Sequence, residues 1–182
     1  MTSGLDRMTG ADRFVGQSAL IVAMDEVGSV VDHWRRQYDP VAPSVPPHVT
    51  VLYPFLPLDR IDDAVCTELT ALFAGQPEFE ATLTGCARFP EVFYLRAQPE
   101  ATFQQLTAAV HQRWPEAPPY GGQFETVIPH LTVAHSGDAA IHLELELEIG
   151  PLLPLTVGVR EVQLIGCGES WLELARFPLA GV

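Results

Sequence analysis

Pro47-His48-Val49-Thr50-Val51 and Pro129-His130-Leu131-Thr132-Val133 are one pattern written twice, and no other pattern of this length recurs in the chain. Successive side chains of a strand point to opposite faces. His48 and Thr50 therefore share one face while Val49 and Val51 take the other, and the second copy divides likewise. Each copy offers an imidazole and a hydroxyl side by side, anchored from behind by two aliphatics. A lone His-x-Thr arises by chance in about one chain in two or three of this composition, so the weight lies in the repetition.

The context of each copy repeats as well. Leu83-Thr84-Gly85-Cys86 follows the first and Leu164-Ile165-Gly166-Cys167 the second, and both lead into an aromatic-aliphatic run, Val92-Phe93-Tyr94-Leu95 and Trp171-Leu172-Glu173-Leu174. A unit of motif strand, intervening segment, strand and strand is expected to occur twice.

A chain of 182 residues can build one domain with a substantial core, or two small lobes that share one, and the repeat favours two lobes. We expect residues 1–17 to be a loose polar leader, without the basic-then-apolar order of a signal peptide, and 18–178 to form a single bilobal domain. No apolar run approaches the roughly 18–20 residues that cross a bilayer, so a cytoplasmic protein is expected. Cys66, Cys86 and Cys167 have no CxxC spacing and read as reduced, buried small residues rather than a disulfide frame or a zinc site.

The net charge of −13 includes ten basic residues, all of them Arg. Gripping long nucleic acid takes a basic face that neutralises phosphates, and Arg35-Arg36 is the only basic pair. A phosphate-bearing partner is therefore expected to be small, or a terminus, held by a few local donors. Neither a membrane partner nor an extended nucleic-acid surface is expected.

Along the chain, Ser18 to Ala23 reads as a buried strand and Gly28 to Tyr38 as a helix stopped by Asp39-Pro40. The proline-rich Val41 to Pro47 leads into the first motif strand, 48–53. Asp59 to Ala74 reads as a helix on its apolar spacing, followed by a hairpin of Phe79 to Arg88 and Val92 to Ala97. Ala101 to Trp114 is a second such helix. Pro115 to Gly122 forms a connection or flap, and the second motif strand spans 128–135. The alternation in Asp138 to Ile149 suggests a strand, but its Glu and Leu content and its place in the repeat favour a helix. Leu155 to Gly166 and Ser170 to Phe177 read as two final strands. The class is α+β with antiparallel sheets. If the two units are related by a pseudo-two-fold axis, their motif strands face each other across a central cleft.

Two histidines and two hydroxyls in one cleft suit phosphodiester chemistry. In-line displacement needs one group to take a proton from the attacking oxygen and another to give one to the leaving oxygen. A side chain with a reference pKa of about 6.5 can do either. The two hydroxyls can donate to non-bridging oxygens as charge builds, and no metal or other cofactor is called for.

The doubled His-x-Thr in repeated units resembles the two-histidine (2H) phosphoesterase superfamily, and Pro-His-Val-Thr-Val with Pro-His-Leu-Thr-Val resembles its bacterial 2′-5′ RNA ligase-like and cyclic phosphodiesterase branch. The resemblance covers about Ser18 to Pro178. It implies a bilobal fold with a four-stranded antiparallel sheet in each lobe lining the cleft, helices outside, and metal-independent opening of 2′,3′-cyclic phosphates of nucleotides or RNA ends. It makes His48 and His130 the acid-base pair and Thr50 and Thr132 the phosphate donors. Which histidine is the acid stays open. A non-catalytic nucleotide-binding module and 2′-5′ RNA ligation are the alternatives.

Other residues divide between site and packing. Tyr53, Phe55 and Tyr120 are candidates for stacking on a base, against ordinary packing near turns. Arg88 and Arg96 are candidates for reaching phosphate. By strand parity His135 falls on the face away from His130 and reads as structural, and His33, His111 and His142 read as surface positions on helices.

Overall fold

The computed structural model describes residues 12–181. The strands are β1 (Ser18–Ala23), β2 (His48–Leu52), β3 (Phe79–Phe89), β4 (Val92–Gln98), β5 (His130–His135), β6 (Leu155–Val159), β7 (Glu161–Cys167) and β8 (Trp171–Pro178). The helices are α1 (Gly28–Tyr38), α2 (Asp63–Ala74), α3 (Glu100–Arg113) and α4 (Ala139–Ile149). The class is α+β, as expected. Instead of two separate sheets, all eight strands lie in one antiparallel sheet of order β6-β3-β4-β5-β2-β1-β7-β8.

The two motif strands are the central pair, joined in register through Val49 and Leu131 alone. The hairpin that follows the first motif, β3-β4, lies beside the second motif strand; β7-β8, which follows the second motif, lies on the side of the first. Each half of the sheet therefore mixes the two sequence units instead of housing one of them.

Leu155 to Gly166, expected as one strand, is two. β6 pairs with β3 at one edge, and after Arg160 the chain enters β7, which pairs with β1 and β8. In a flat sheet these strands would be roughly 29 Å apart, six spacings of about 4.8 Å. One linking residue spans only about 7 Å. The sheet must therefore curl until its edges meet, and the backbone hydrogen bonds between Gln76, Glu78 and Ala180 close the same seam.

Burial follows the period of two in both motif strands. Val49, Val51, Leu131 and Val133 are buried in the main core, which receives Val31 and Trp34 from α1, Leu69 and Phe73 from α2, and the buried faces of α3 and α4. His48, Thr50, His130 and Thr132 are half-buried on the other face. On that face a smaller cluster of Ala19, Ile21, Val45, Ile165, Cys167 and Trp171 covers the β1-β7-β8 side.

α2 begins at Asp63 rather than Asp59, because the Asp62 carboxylate accepts from the Val65 N–H at 2.9 Å and caps the helix there. Asp59 sits in a separate turn, Leu58–Arg60. Asp138 caps α4 in the same manner, so helix wins over the Leu/Glu alternation. Of the expected leader, residues 1–11 lie outside the described residues. From Asp12 the chain is packed: the Phe14 ring meets Tyr53 and Trp171, and the Gly16 N–H donates to the Cys167 carbonyl at 2.8 Å. Cys167 is buried, but Cys66 and Cys86 are only partly so, and all three are free. No described helix is long and apolar enough to cross a membrane.

Candidate active site

An antiparallel pair has a local two-fold axis, and at the centre of this sheet it passes between Val49 and Leu131. One residue to either side, His48 comes opposite Thr132 and Thr50 opposite His130, all four on the same face. The two histidines are thus diagonal across the axis, each with a hydroxyl facing it. Val49–Leu131 is the sole register pair between the two strands.

Both rings are set by the same device. His48 Nδ1 donates to the Pro46 carbonyl at 2.9 Å and His130 Nδ1 to the Ile128 carbonyl at 2.7 Å. In each case the acceptor precedes a proline, which holds it in extended backbone. That proline lacks an N–H, yet its own carbonyl takes one from the neighbouring segment: Met24 N–H to Pro47 at 2.7 Å and Ala97 N–H to Pro129 at 3.2 Å. With Nδ1 spent as a donor, the tautomer assigned by the hydrogen bond leaves the Nε2 lone pair for chemistry.

Electrostatics separate the two. Burial pulls the His48 pKa down to about 4; the Pro46 carbonyl opposes this, nearby Arg35 and His130 add to it, and Asp39 opposes it. Burial also lowers His130, against the Ile128 carbonyl, with a small push from His135. His48 stands on a proline-rich loop fastened by buried Arg35, which donates to Asp39 at 3.1 Å and to the Val45 carbonyl at 3.0 Å. His130 stands against aromatic rings instead, Tyr94 at 5.1 Å and Phe89 at 5.3 Å between centroids.

A cleft of about 560 Å³ opens on His130, lined by Phe89, Val92, Tyr120, Phe124 and Ile128. A larger recess of about 670 Å³ lies behind the Pro46-Pro47 turn against Arg35 and Arg36, and neither motif histidine lines it. The apolar wall beside a motif ring makes the first cleft the better fit to a nucleoside.

Tyr120 lines the cleft beside His130. Burial raises the pKa of its hydroxyl, and the nearby Thr50 side chain offsets part of the rise. Its backbone is left-handed, φ 50°, a strained conformation for a tyrosine, held by its N–H donating to the Tyr53 carbonyl at 2.7 Å. Tyr53 and Phe55 are not brought there. The Tyr53 ring packs between Phe14 and Trp171 with its hydroxyl on Gln17. Phe55 is buried edge-on against Trp114 at 5.2 Å in the main core, with no face to offer a base.

Arg88 pairs with Glu146 of α4 and lies on the helix side. Arg96 lies on the site face, directly paired with His130. His135 corrects the parity argument: Tyr94 pairs with Thr132 but Phe93 with Ala134, so Val133 is an extra residue, a bulge that turns His135 back to the face of His130. There it approaches Asp39 at 3.9 Å. His142 is buried beside Phe93 rather than on the surface.

The aromatic wall of Phe89, Tyr94 and Phe124 is the part that sequence reading missed. A signal was present in Val92-Tyr94-Arg96, the alternate set of a strand whose other set, Phe93-Leu95-Ala97, is wholly apolar. Among the described residues no three His, Cys, Asp or Glu side chains come together as a metal cage requires.

A model of the 2′-5′ RNA ligase superfamily matches residues 23–169. A Geobacillus kaustophilus protein whose name marks it as a candidate phosphoesterase is 26% identical over 104 residues, 55% of this chain and 57% of that protein. The match thus spans little more than half of the relative. Escherichia coli LigT complexed with 3′-AMP superposes with a TM-score of 0.60 at 19% identity, over 90% of this chain and 98% of LigT. TT0787 of Thermus thermophilus gives 0.61 at 20%, over 91% and 98%. At these identities the likeness is one of fold.

Proposed function

This chain belongs to the 2′-5′ RNA ligase superfamily, and on that footing we propose that it opens 2′,3′-cyclic phosphates of nucleotides or RNA ends by metal-independent acid-base catalysis. The observation that carries the reading is the doubled device in the central strand pair: two Nδ1-tethered imidazoles diagonal across one axis, each facing a threonine.

In the proposed step the cyclic phosphate sits over the Val49–Leu131 pair. One Nε2 takes a proton from water as its oxygen attacks phosphorus, and the other ring gives a proton to the ribose oxygen that leaves. The Thr50 and Thr132 hydroxyls donate to the non-bridging oxygens. His48, with the larger pKa depression and Arg35 nearby, is the ring that stays neutral and acts as base, which leaves His130 as acid. The nucleoside occupies the cleft beside His130, where Tyr120 and Phe124 offer rings. LigT has been crystallised with 3′-AMP, NADP⁺ and ATP, and a small nucleotide is the ligand class we carry to this chain.

The test is hydrolysis of the four nucleoside 2′,3′-cyclic monophosphates in EDTA, wild type beside His48→Ala and His130→Ala, with the phosphate position of the product read by NMR. Turnover that survives in EDTA and is lost in both variants supports the reading. A folded wild type that binds nucleotides without turnover would make the chain a nucleotide-binding module.

A further inference from the structure

The register of the sheet sets four residues in one row across the site face. Thr50 on β2 comes opposite His130 on β5, His130 pairs with Arg96 on β4, and Arg96 pairs with Gly85 on β3. Three of these are a hydroxyl, the ring assigned above as acid, and a guanidinium. The fourth is bare, and a Cβ built on Gly85 would meet nothing within 4 Å. The space above the outer end of the row is open.

Arg96 also stands apart from the other arginines among the described residues. Arg35, Arg36, Arg60, Arg88, Arg113, Arg160 and Arg176 each have a carboxylate within 4.0 Å, and Arg13 lies over the Phe14 ring at 4.5 Å. Among the described residues Arg96 alone is exposed with neither. On a chain of net charge −13, that is a cation left without its counter-charge on the face where a phosphate is to bind. The two-fold-related position gives the contrast: the residue paired with His48 is Ala23, which carries no charge.

We propose that Arg96, over the bare Gly85, is a subsite for a second phosphate of the substrate, the one on the 5′ oxygen of the nucleotide that carries the cyclic phosphate. Neighbouring strands are about 4.8 Å apart, so a guanidinium on β4 meets a group about 5–10 Å from a phosphorus held between β2 and β5. The 5′ oxygen lies across the ribose from the 2′ and 3′ oxygens, and the aromatic cleft beside His130 puts the nucleoside on this side of the axis. A guanidinium presents a planar fork suited to phosphate oxygens. The 5′ phosphate has two sources, a free 5′-phosphorylated nucleotide or the phosphodiester of an RNA 3′ end. The inference rests on the hydrolase reading for which phosphate is cyclic, and on the sheet register for Arg96.

The experiment compares binding of a nucleoside 2′-monophosphate and a nucleoside 2′,5′-bisphosphate by calorimetry. The wild type is expected to prefer the bisphosphate about 10- to 100-fold, as a charge-assisted contact gives. In Arg96→Gln the ratio falls to near one, and Arg96→Lys restores part of it. Gly85→Asp leaves Arg96 in place but sets a carboxylate beside it, and it lowers the ratio too. A trinucleotide ending in a 2′-phosphate that shares the Arg96-dependent gain identifies RNA ends as the source; a gain confined to the bisphosphate identifies the free nucleotide. Equal binding of the two ligands by the wild type, or equal weakening of both in Arg96→Gln, overturns the proposal. Turnover plays no part in this readout, so failure of the hydrolase reading would show separately, as absent hydrolysis in EDTA.

Discussion

His48 and His130 occupy matching places in matching pentapeptides, yet the protein surrounds them differently. The first is held by charge: its loop is clamped by Arg35 and Asp39, which are almost wholly buried, and a cation sits near its ring. The second is held by surface: Phe89 and Tyr94 press on the ring, and a cleft opens beside it. The shared backbone device holds both rings, and under the proposed function their different surroundings make His130 the acid and put the nucleoside on its side. Chemistry that needs one acid and one base can thus be built from two copies of the same motif.

Removing either ring has the largest expected effect. His48→Ala and His130→Ala are each expected to lower kcat/KM by about 10²–10⁴, the usual worth of an acid or base. Steady-state kinetics on a cyclic nucleotide measures this. A loss in only one variant would mean that the motifs are not partners. Thr50→Ala and Thr132→Ala are expected to cost about 10²–10³ in kcat, the range for one donor to developing negative charge.

Next in size is the clamp. Arg35→Met leaves Asp39 buried without its cation and is expected to cost about 3–5 kcal/mol of stability by urea unfolding. Arg35→Met with Asp39→Asn should cost less. In the variants that fold, the pKa of His48 should rise, because the cation near it is gone, and that of His130 should not move. Titration followed by NMR of the two rings tests this. Equal movement of both would mean that Arg35 acts on the two rings alike.

pH sharpens the same contrast. A histidine whose pKa is about 4 when folded and about 6.5 when unfolded binds fewer protons in the native state between those values. Stability therefore rises with pH across that window and is lost as pH falls from about 6.5 to about 4. For His48 the loss is on the order of 2–3 kcal/mol. Unfolding free energies at pH 7 and pH 5 should differ less in His48→Gln than in wild type, and His130→Gln should remove a smaller part of the difference. In the proposed reaction a bound phosphate anion would favour the protonated ring, so the pH optimum of kcat should lie above that of kcat/KM.

What the sequence made legible was what strand periodicity and repetition encode. The facing of His48, Thr50, His130 and Thr132 follows from a period of two, and most helices and strands follow from apolar spacing and caps. What it hid were features made by pairing between distant segments. The bulge at Val133 that turns His135 around depends on how β4 lies against β5. The break at Arg160 depends on a curl that brings two edges together, and the exchange of hairpins between halves depends on the order of strands. Phe55, close to the motif in sequence, was open to stacking or to packing, and burial against Trp114 makes it packing.

The smallest expected effect belongs to Tyr120, which also departs most from the matching of the two halves. Its hydroxyl lies near Thr50, and its strained φ of 50° is held in place by the Tyr53 carbonyl. Tyr120→Phe keeps the ring and removes only the hydroxyl. It should lower kcat by about 2- to 10-fold, the worth of one neutral hydrogen bond, with KM nearly unchanged. Tyr120→Gly relieves a left-handed strain of about 1–2 kcal/mol but deletes a wall of the cleft, so it should raise KM. If the hydroxyl orients Thr50, the Phe variant should have no effect on a protein that already lacks the Thr50 hydroxyl. A double-mutant cycle with Thr50→Val measures that coupling. Independent losses in the cycle would leave Tyr120 as a wall of the cleft, with Thr50 oriented by its strand alone.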